Sequence, residues 1–177
     1  ALETLKKLIK ECGNSRYRLD AFRYALSLAR RKKDSATQEK AQEILEEMKK
    51  EPEPLRGEAE LVAAHTAFDK QEYGKAQDIY SRLATNTTQP YAGEARLGSL
   101  RCLKALKKTE ELDKVCKTVL AAKTGTSMAL LQFASAVVAE ALVAKAEKDE
   151  NLWREALLAC AQAIAIGPPL GDEPIDD

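Results

Sequence analysis

The sequence has little of what most enzymes and nucleic-acid-binding proteins depend on. It contains a single histidine and 5% aromatic residues, and its 28 acidic side chains balance its 28 basic ones. A chain with zero formal net charge has no long-range field to attract nucleic acid or an anionic membrane. One histidine and the lack of a clustered nucleophile also argue against an acid–base or nucleophilic active site. We therefore predict a protein that is not an enzyme and does not bind nucleic acid.

Cysteine is also sparse, and its spacing excludes the common metal sites. Cys12, Cys102, Cys116 and Cys160 form no CxxC pair and fit no zinc-ligand pattern. Each lies among apolar residues, which favours free, buried thiols and indicates a reducing, cytoplasmic compartment. A disulfide requires Cα atoms within about 7 Å, so the sequence leaves open whether Cys102 and Cys116 pair. No metal and no cofactor are expected.

Helix-forming residues are what the sequence has in excess. Alanine alone occurs 29 times among many Leu, Glu and Lys residues, and apolar side chains recur with a spacing close to that of a helical turn. No stretch alternates between apolar and polar residues in the manner of a strand. These features predict an all-α fold with nine helices, at residues 2–11, 17–32, 37–50, 57–70, 73–84, 91–107, 110–122, 126–148 and 151–166.

The eighth predicted helix contains the longest apolar stretch, residues 128–144. Glu140 interrupts this stretch, which is also shorter than the about 20 apolar residues that a membrane-spanning helix needs. We therefore predict a helix that is buried on several sides, and no membrane span.

Short turns join the predicted helices two by two from the second helix onward, which predicts four antiparallel hairpins. An internal repeat supports this pairing. The equivalent positions, 35, 39 and 41 residues apart, are Ala41, Ala76, Val115 and Ala156. Small residues at such positions let two helix axes approach to about 8 Å. No hairpin covers its own apolar face, so we expect the four hairpins to stack.

The hairpins predict one domain over residues 1–177. Its parts are an N-terminal helix at 1–13, four repeats at 17–54, 57–89, 90–123 and 126–167, and a tail at 168–177. The chain begins with alanine and ends on a charged tail, so we interpret it as a piece excised from a longer protein. The N-terminal helix would then be the second helix of an upstream repeat.

The clearest repeat pattern lies in residues 57–90 and consists of Ala64, Tyr73, Ala76, Tyr80, Leu83 and Pro90. It resembles the tetratricopeptide repeat, whose period is about 34 residues, and the resemblance covers residues 22–167. The resemblance implies a right-handed superhelical stack of about four antiparallel helix hairpins, an α-solenoid with an extra N-terminal helix. Residues 67–106 are most similar to bacterial envelope members of this family, which makes the bacterial periplasm the alternative compartment.

The resemblance also implies an adaptor that binds a partner peptide or protein in a concave groove, lined by the first helix of each hairpin. The candidate groove residues are Leu26, Arg30, Lys33, Leu61, His65, Phe68, Leu100, Lys104, Lys107, Lys145 and Lys148. They form an apolar row beside a basic row, which predicts a partner with acidic and apolar side chains. The alternative is a structural module that self-associates through repeat 4 or the N-terminal helix, or that continues a longer solenoid.

Overall fold

The protein is helical throughout the part that a computed structural model describes, which is residues 4, 7, 10, 11, 20–24, 27, 35–122 and 126–166. A 3₁₀ turn at Glu150–Leu152 leads into the last helix. The α-helices are α1 (Ser35–Met48), α2 (Leu55–Asp69), α3 (Tyr73–Ala84), α4 (Ala92–Ala105), α5 (Thr109–Ala121), α6 (Met128–Ala146) and α7 (Trp153–Ile166). No strand occurs among the described residues, and for them the all-α prediction is confirmed.

The observed helix ends fall within two residues of those predicted for the third to ninth helices. The stop and start residues explain this agreement. Pro52 and Pro54 precede α2, and Ser127 caps α6 by accepting a hydrogen bond from the Leu130 N–H at 3.3 Å. The predicted N-terminal helix, the first helix of repeat 1 and the tail lie largely or wholly outside the described residues.

The chain divides into two compact units, Ala1–Thr66 and Ala67–Asp177, and the division falls inside α2. The core of the first unit contains Ala21, Phe22, Ile44, Leu45, Met48 and Ala59. At the edge of this core, Arg23 donates hydrogen bonds of 2.7 and 3.2 Å to the Glu58 carboxylate. This hydrogen bonding raises the pKa of Arg23.

In the second unit, consecutive helices pack as antiparallel neighbours from α3 to α7, and α4 also contacts α6. The α6 helix therefore lies against both members of the preceding α4–α5 hairpin. The core cluster that joins these three helices consists of Leu100, Leu103, Leu112, Cys116, Leu130, Ala134 and Val137. Burial of these apolar side chains holds the hairpin and α6 together.

The apolar helix α6 is long and apolar enough to cross a membrane by length and composition, a test that a core helix also meets. Seven of its residues are buried, and it contacts α4, α5 and α7. Among the seven is Gln132, whose Nε2 donates a hydrogen bond of 3.3 Å to the Ile166 carbonyl at the end of α7.

The turn between α2 and α3 and the turn between α4 and α5 have the same backbone geometry. Gln71 and Lys107, 36 residues apart, both have positive φ, at 62° and 56°. Paired 6→1 and 5→2 hydrogen bonds make each turn a Schellman motif. Glycine usually occupies the positive-φ position of this motif. The bonds run from Gln71 N–H to Phe68 O, Glu72 N–H to Ala67 O, Lys107 N–H to Lys104 O and Lys108 N–H to Leu103 O.

One residue of the predicted repeat pattern does not have the environment that the pattern predicts. The sequence pattern equated Ala76 with Val115, but Val115 is 37% exposed. Leu112, three residues earlier, is 5% exposed, and its N–H bonds the carbonyl four residues before it, as the N–H of Ala76 does. The 36-residue spacing of the two turns could not be read from the sequence, because no glycine occupies their left-handed positions.

Candidate partner-binding surface

The predicted groove residues do not share one environment. Leu26, Arg30 and Lys33 lie outside the described residues. Leu61 and Leu100 are buried, at 6% and 2% exposure. Two members of the expected apolar row are therefore core residues, and neither forms the floor of an open groove.

The aromatic member of the predicted groove, Phe68, is half-buried and packs edge-on against Tyr73 across the α2–α3 turn. The ring centroids are 5.2 Å apart with an interplanar angle of 65°. Such an arrangement is favourable for two aromatic rings. Phe68 thus stabilises the turn, and His65, one helical turn earlier in α2, is half-buried.

The basic member Lys104 forms an ion pair between α4 and α6. Its Nζ lies 2.8 Å from Oε2 and 3.1 Å from Oε1 of Glu140. Both side chains are about half exposed or more, so the pair contributes only about 0.2–1 kcal/mol to stability. Its main consequence is electrostatic, because Glu140 compensates the charge of this member of the predicted basic row.

The other lysines of the predicted basic row, Lys107, Lys145 and Lys148, are exposed. Lys145 lies five residues after Glu140, so it is about 140° around α6 from that carboxylate. It therefore does not extend the Lys104–Glu140 pair into a row along the helix.

An open depression of about 440 Å³ lies between α6 and α7, and we call it the α6–α7 trough. Its lining residues are Ala136, Ala139, Glu140, Val143, Ala144, Glu147 and Cys160. The surface is mostly small and apolar, and its charged groups are the two exposed carboxylates Glu140 and Glu147. In the described part of the chain, no ion pair involves the carboxylate of Glu147.

The wall of the trough on α7 continues into exposed apolar side chains. Three of these, Trp153, Leu157 and Ile164, form what we call the α7 row, with exposures from 41% for Trp153 to 78% for Ile164. Because a helix turns by about 100° per residue, the α7 row lies within about 60° of Cys160. Leu158, also exposed, lies about 160° from Cys160 and faces away from the trough.

Sequence reasoning missed the α6–α7 trough, although a signal for it was present. Glu140 and Glu147 are seven residues apart, a spacing that places them on one face of a helix. Glu140 was used only as evidence that residues 128–144 do not cross a membrane.

The possible metal ligands and the cysteines are the other reactive side chains of the described residues. No group of three or more His, Cys, Asp or Glu side chains in this part of the chain could hold a metal ion. Cys102 and Cys116 are both free thiols, which answers the question of their pairing. Burial raises the pKa of each to about 11, so both are protonated at neutral pH and are poor nucleophiles.

The buried thiols predict a loss of stability in alkali. The pKa of Cys102 and of Cys116 is higher in the folded chain than the ordinary 9.0, so the unfolded chain releases these protons first. We expect the contribution of the two thiols to the free energy of unfolding to be complete below about pH 9 and to fall between about pH 9 and 11. Urea unfolding of Cys102→Ala across this range should show a shallower decline in stability than that of the native chain. An unchanged slope in Cys102→Ala would contradict the prediction.

The chain matches no family model, no curated protein and no solved structure. The geometry on which a function can be based is therefore that of the chain itself: the α6–α7 trough, its two carboxylates and the adjoining α7 row.

Proposed function

We propose that the chain is a non-catalytic protein–protein interaction scaffold that binds a partner peptide or protein in a concave groove. The observation that carries this proposal is the α6–α7 trough with the α7 row beside it. Exposed apolar surface of this kind, bordered by polar groups, is typical of an interaction site. The helices on either side supply a rigid frame for such a site.

The same proposal includes the repeat architecture, a right-handed superhelical stack similar to tetratricopeptide domains. Three features support it. The helix α6 packs on both α4 and α5, as a stacked hairpin requires. The Schellman turns at Gln71 and Lys107 recur after 36 residues, close to the period of such repeats. Buried Ala76, Tyr80 and Leu83 correspond at this spacing to Leu112, Cys116 and Val119.

A displayed library of random peptides, selected on the immobilised full chain, tests the binding role. We expect enriched peptides whose binding is lost in Ala144→Phe, because the added ring fills the exposed floor of the trough. Ala165→Phe is the matched control, since Ala165 is also exposed on a helix but lies about 140° from Cys160. No enrichment, or equal binding to both variants, would exclude the trough as a peptide-binding site.

A second candidate function, structural self-assembly, is favoured by a different feature of α7. Ala156 is the one residue of this helix that is fully buried, and exposed apolar side chains lie on two of its sides, with Leu158 apart from the α7 row. Self-association predicts a molar mass that rises with concentration in light scattering, whereas a peptide-binding monomer keeps a constant mass.

A further inference from the structure

We infer that the occupant of the α6–α7 trough is an amphipathic helix of a partner protein, with basic side chains along the edge of its apolar face that meets α6. This inference rests on the proposed function and names the chemistry of the partner. It departs from the acidic partner that the sequence pattern predicts.

The packing of the second unit indicates that a helix has the right shape to occupy the trough. The α6 helix lies against both α4 and α5. The trough lies on the next pair, α6 and α7, and in the described residues it is open. A 14-residue helix such as α7 is about 21 Å long, so a partner helix of similar length could cover the surface.

The spacing of the apolar side chains on α7 also fits a helical partner. Trp153, Leu157, Cys160 and Ile164 follow one another at intervals of four, three and four residues. This is the interval at which one helix presents a seam to another helix. An extended strand, in contrast, places alternate residues on one side, and its natural partner is the exposed backbone at the edge of a sheet.

The charge of the partner follows from the α6 edge of the trough. Glu140 and Glu147 lie about 10.5 Å apart along α6, which is the distance between residues seven apart on a second helix. The bond from Lys104 Nζ to Glu140 shows that an ammonium group reaches this edge from a neighbouring helix. An acidic helix would instead place carboxylates beside those of Glu140 and Glu147.

A second copy of the chain is less complementary to the trough than a basic helix. Its exposed apolar helix is α7, whose charged side chains are one base, Arg154, and one acid, Glu155. Such a helix offers no pair of basic groups to Glu140 and Glu147. The inference therefore commits to a separate partner.

Trp153 is the only tryptophan in the chain and belongs to the α7 row, so its fluorescence reports occupancy of this surface. The probes are two tryptophan-free synthetic helices of about 14 residues with the same leucine pattern. One carries two lysines seven residues apart on the edge of its apolar face, and the other carries glutamates there. We expect the lysine peptide to shift the Trp153 emission to shorter wavelength and to bind at least about tenfold more tightly than the glutamate peptide, with an affinity that falls as salt is added.

Variants of the full chain assign the effect to the carboxylates. Glu147→Gln should weaken the lysine peptide about fivefold, because one partly exposed ion pair is lost. Lys104→Met should tighten it, since Glu140 is then free for the peptide. Glu155→Gln is the matched control and should leave binding unchanged, because Glu155 is exposed on the side of α7 opposite Trp153.

A matched pair of variants tests the apolar part of the surface. Leu157→Glu should abolish the binding of the lysine peptide, whereas Leu158→Glu should leave it within about twofold, because only Leu157 lies near Cys160. Thermal unfolding of both variants checks that the helix is intact.

Three results would overturn the inference. Equal or tighter binding of the glutamate peptide would disprove the basic partner while leaving the proposed scaffold function in place. A molar mass that doubles as concentration rises would show that the chain dimerises. If dimerisation alone shifts the Trp153 emission, the occupant is a second copy. If neither peptide binds and the random library gives no trough-dependent peptide, the inference and the proposed function both fail.

Discussion

Replacing Gly98 with alanine should destabilise the protein by about 2 kcal/mol, because the added methyl group has no room. A Cβ at this position of α4 would lie 2.5 Å from Cε1 and 2.6 Å from Cζ of Tyr80 on α3. Tyr80 is almost completely buried, so its ring cannot turn away into solvent. The helices α3 and α4 would have to separate, and that movement would disturb the core that α4 shares with α5 and α6.

Gly74→Ala is the matched control for this prediction. Gly74 is an exposed helical residue of α3, and nothing lies within 4 Å of a Cβ built there. The substitution should stabilise the protein by about 0.5–1 kcal/mol, because alanine restricts the unfolded chain more than glycine does. Urea unfolding of both variants measures the difference. A Gly98→Ala variant as stable as Gly74→Ala would show that the Tyr80 ring does not pack on Gly98.

A second-site substitution tests whether the loss comes from Tyr80 itself. In a Tyr80→Leu background, which removes the ring, Gly98→Ala should cost clearly less than in the native chain. The difference between the two costs is the coupling energy of the pair, and residues in direct contact typically show about 0.5–3 kcal/mol. Additive effects would show that the two residues act independently.

The sequence predicted the helices well because local chemistry decides their ends. Proline before α2 and a serine cap at α6 are visible in the sequence and act at the positions where they stand. The two left-handed turns were missed for a physical reason. Gln71 and Lys107 adopt a left-handed conformation that carries no sequence mark unless glycine occupies it.

The candidate site was predicted less well because it depends on contacts between helices. Counting along the repeats placed Leu61 and Leu100 on a groove surface, whereas both side chains are buried. The same counting placed Lys104 in a basic row and did not find its partner Glu140, which lies 36 residues later in sequence and 2.8 Å away in space. The trough itself forms only where α6 and α7 meet, so neither helix alone reveals it.

Replacing Leu100 with alanine should reduce the free energy of unfolding by about 3 kcal/mol, since a buried leucine loses its apolar contacts and leaves a cavity. Leu100 is 2% exposed and belongs to the cluster that includes Leu112 of α5 and Leu130 of α6. Leu158→Ala is the control, because Leu158 is exposed and its truncation should change stability by less than about 0.5 kcal/mol.

The same variant decides between a core role and a groove role for Leu100. A core residue, when truncated, lowers the urea midpoint and leaves the affinity of the folded chain for the lysine peptide nearly unchanged. A groove residue would do the reverse, with weaker peptide binding and little loss of stability, because exposed leucines contribute little to folding. Since the side chain is enclosed by α4, α5 and α6, we expect the first result, which would move the binding surface from the predicted row of α4 to the α6–α7 trough.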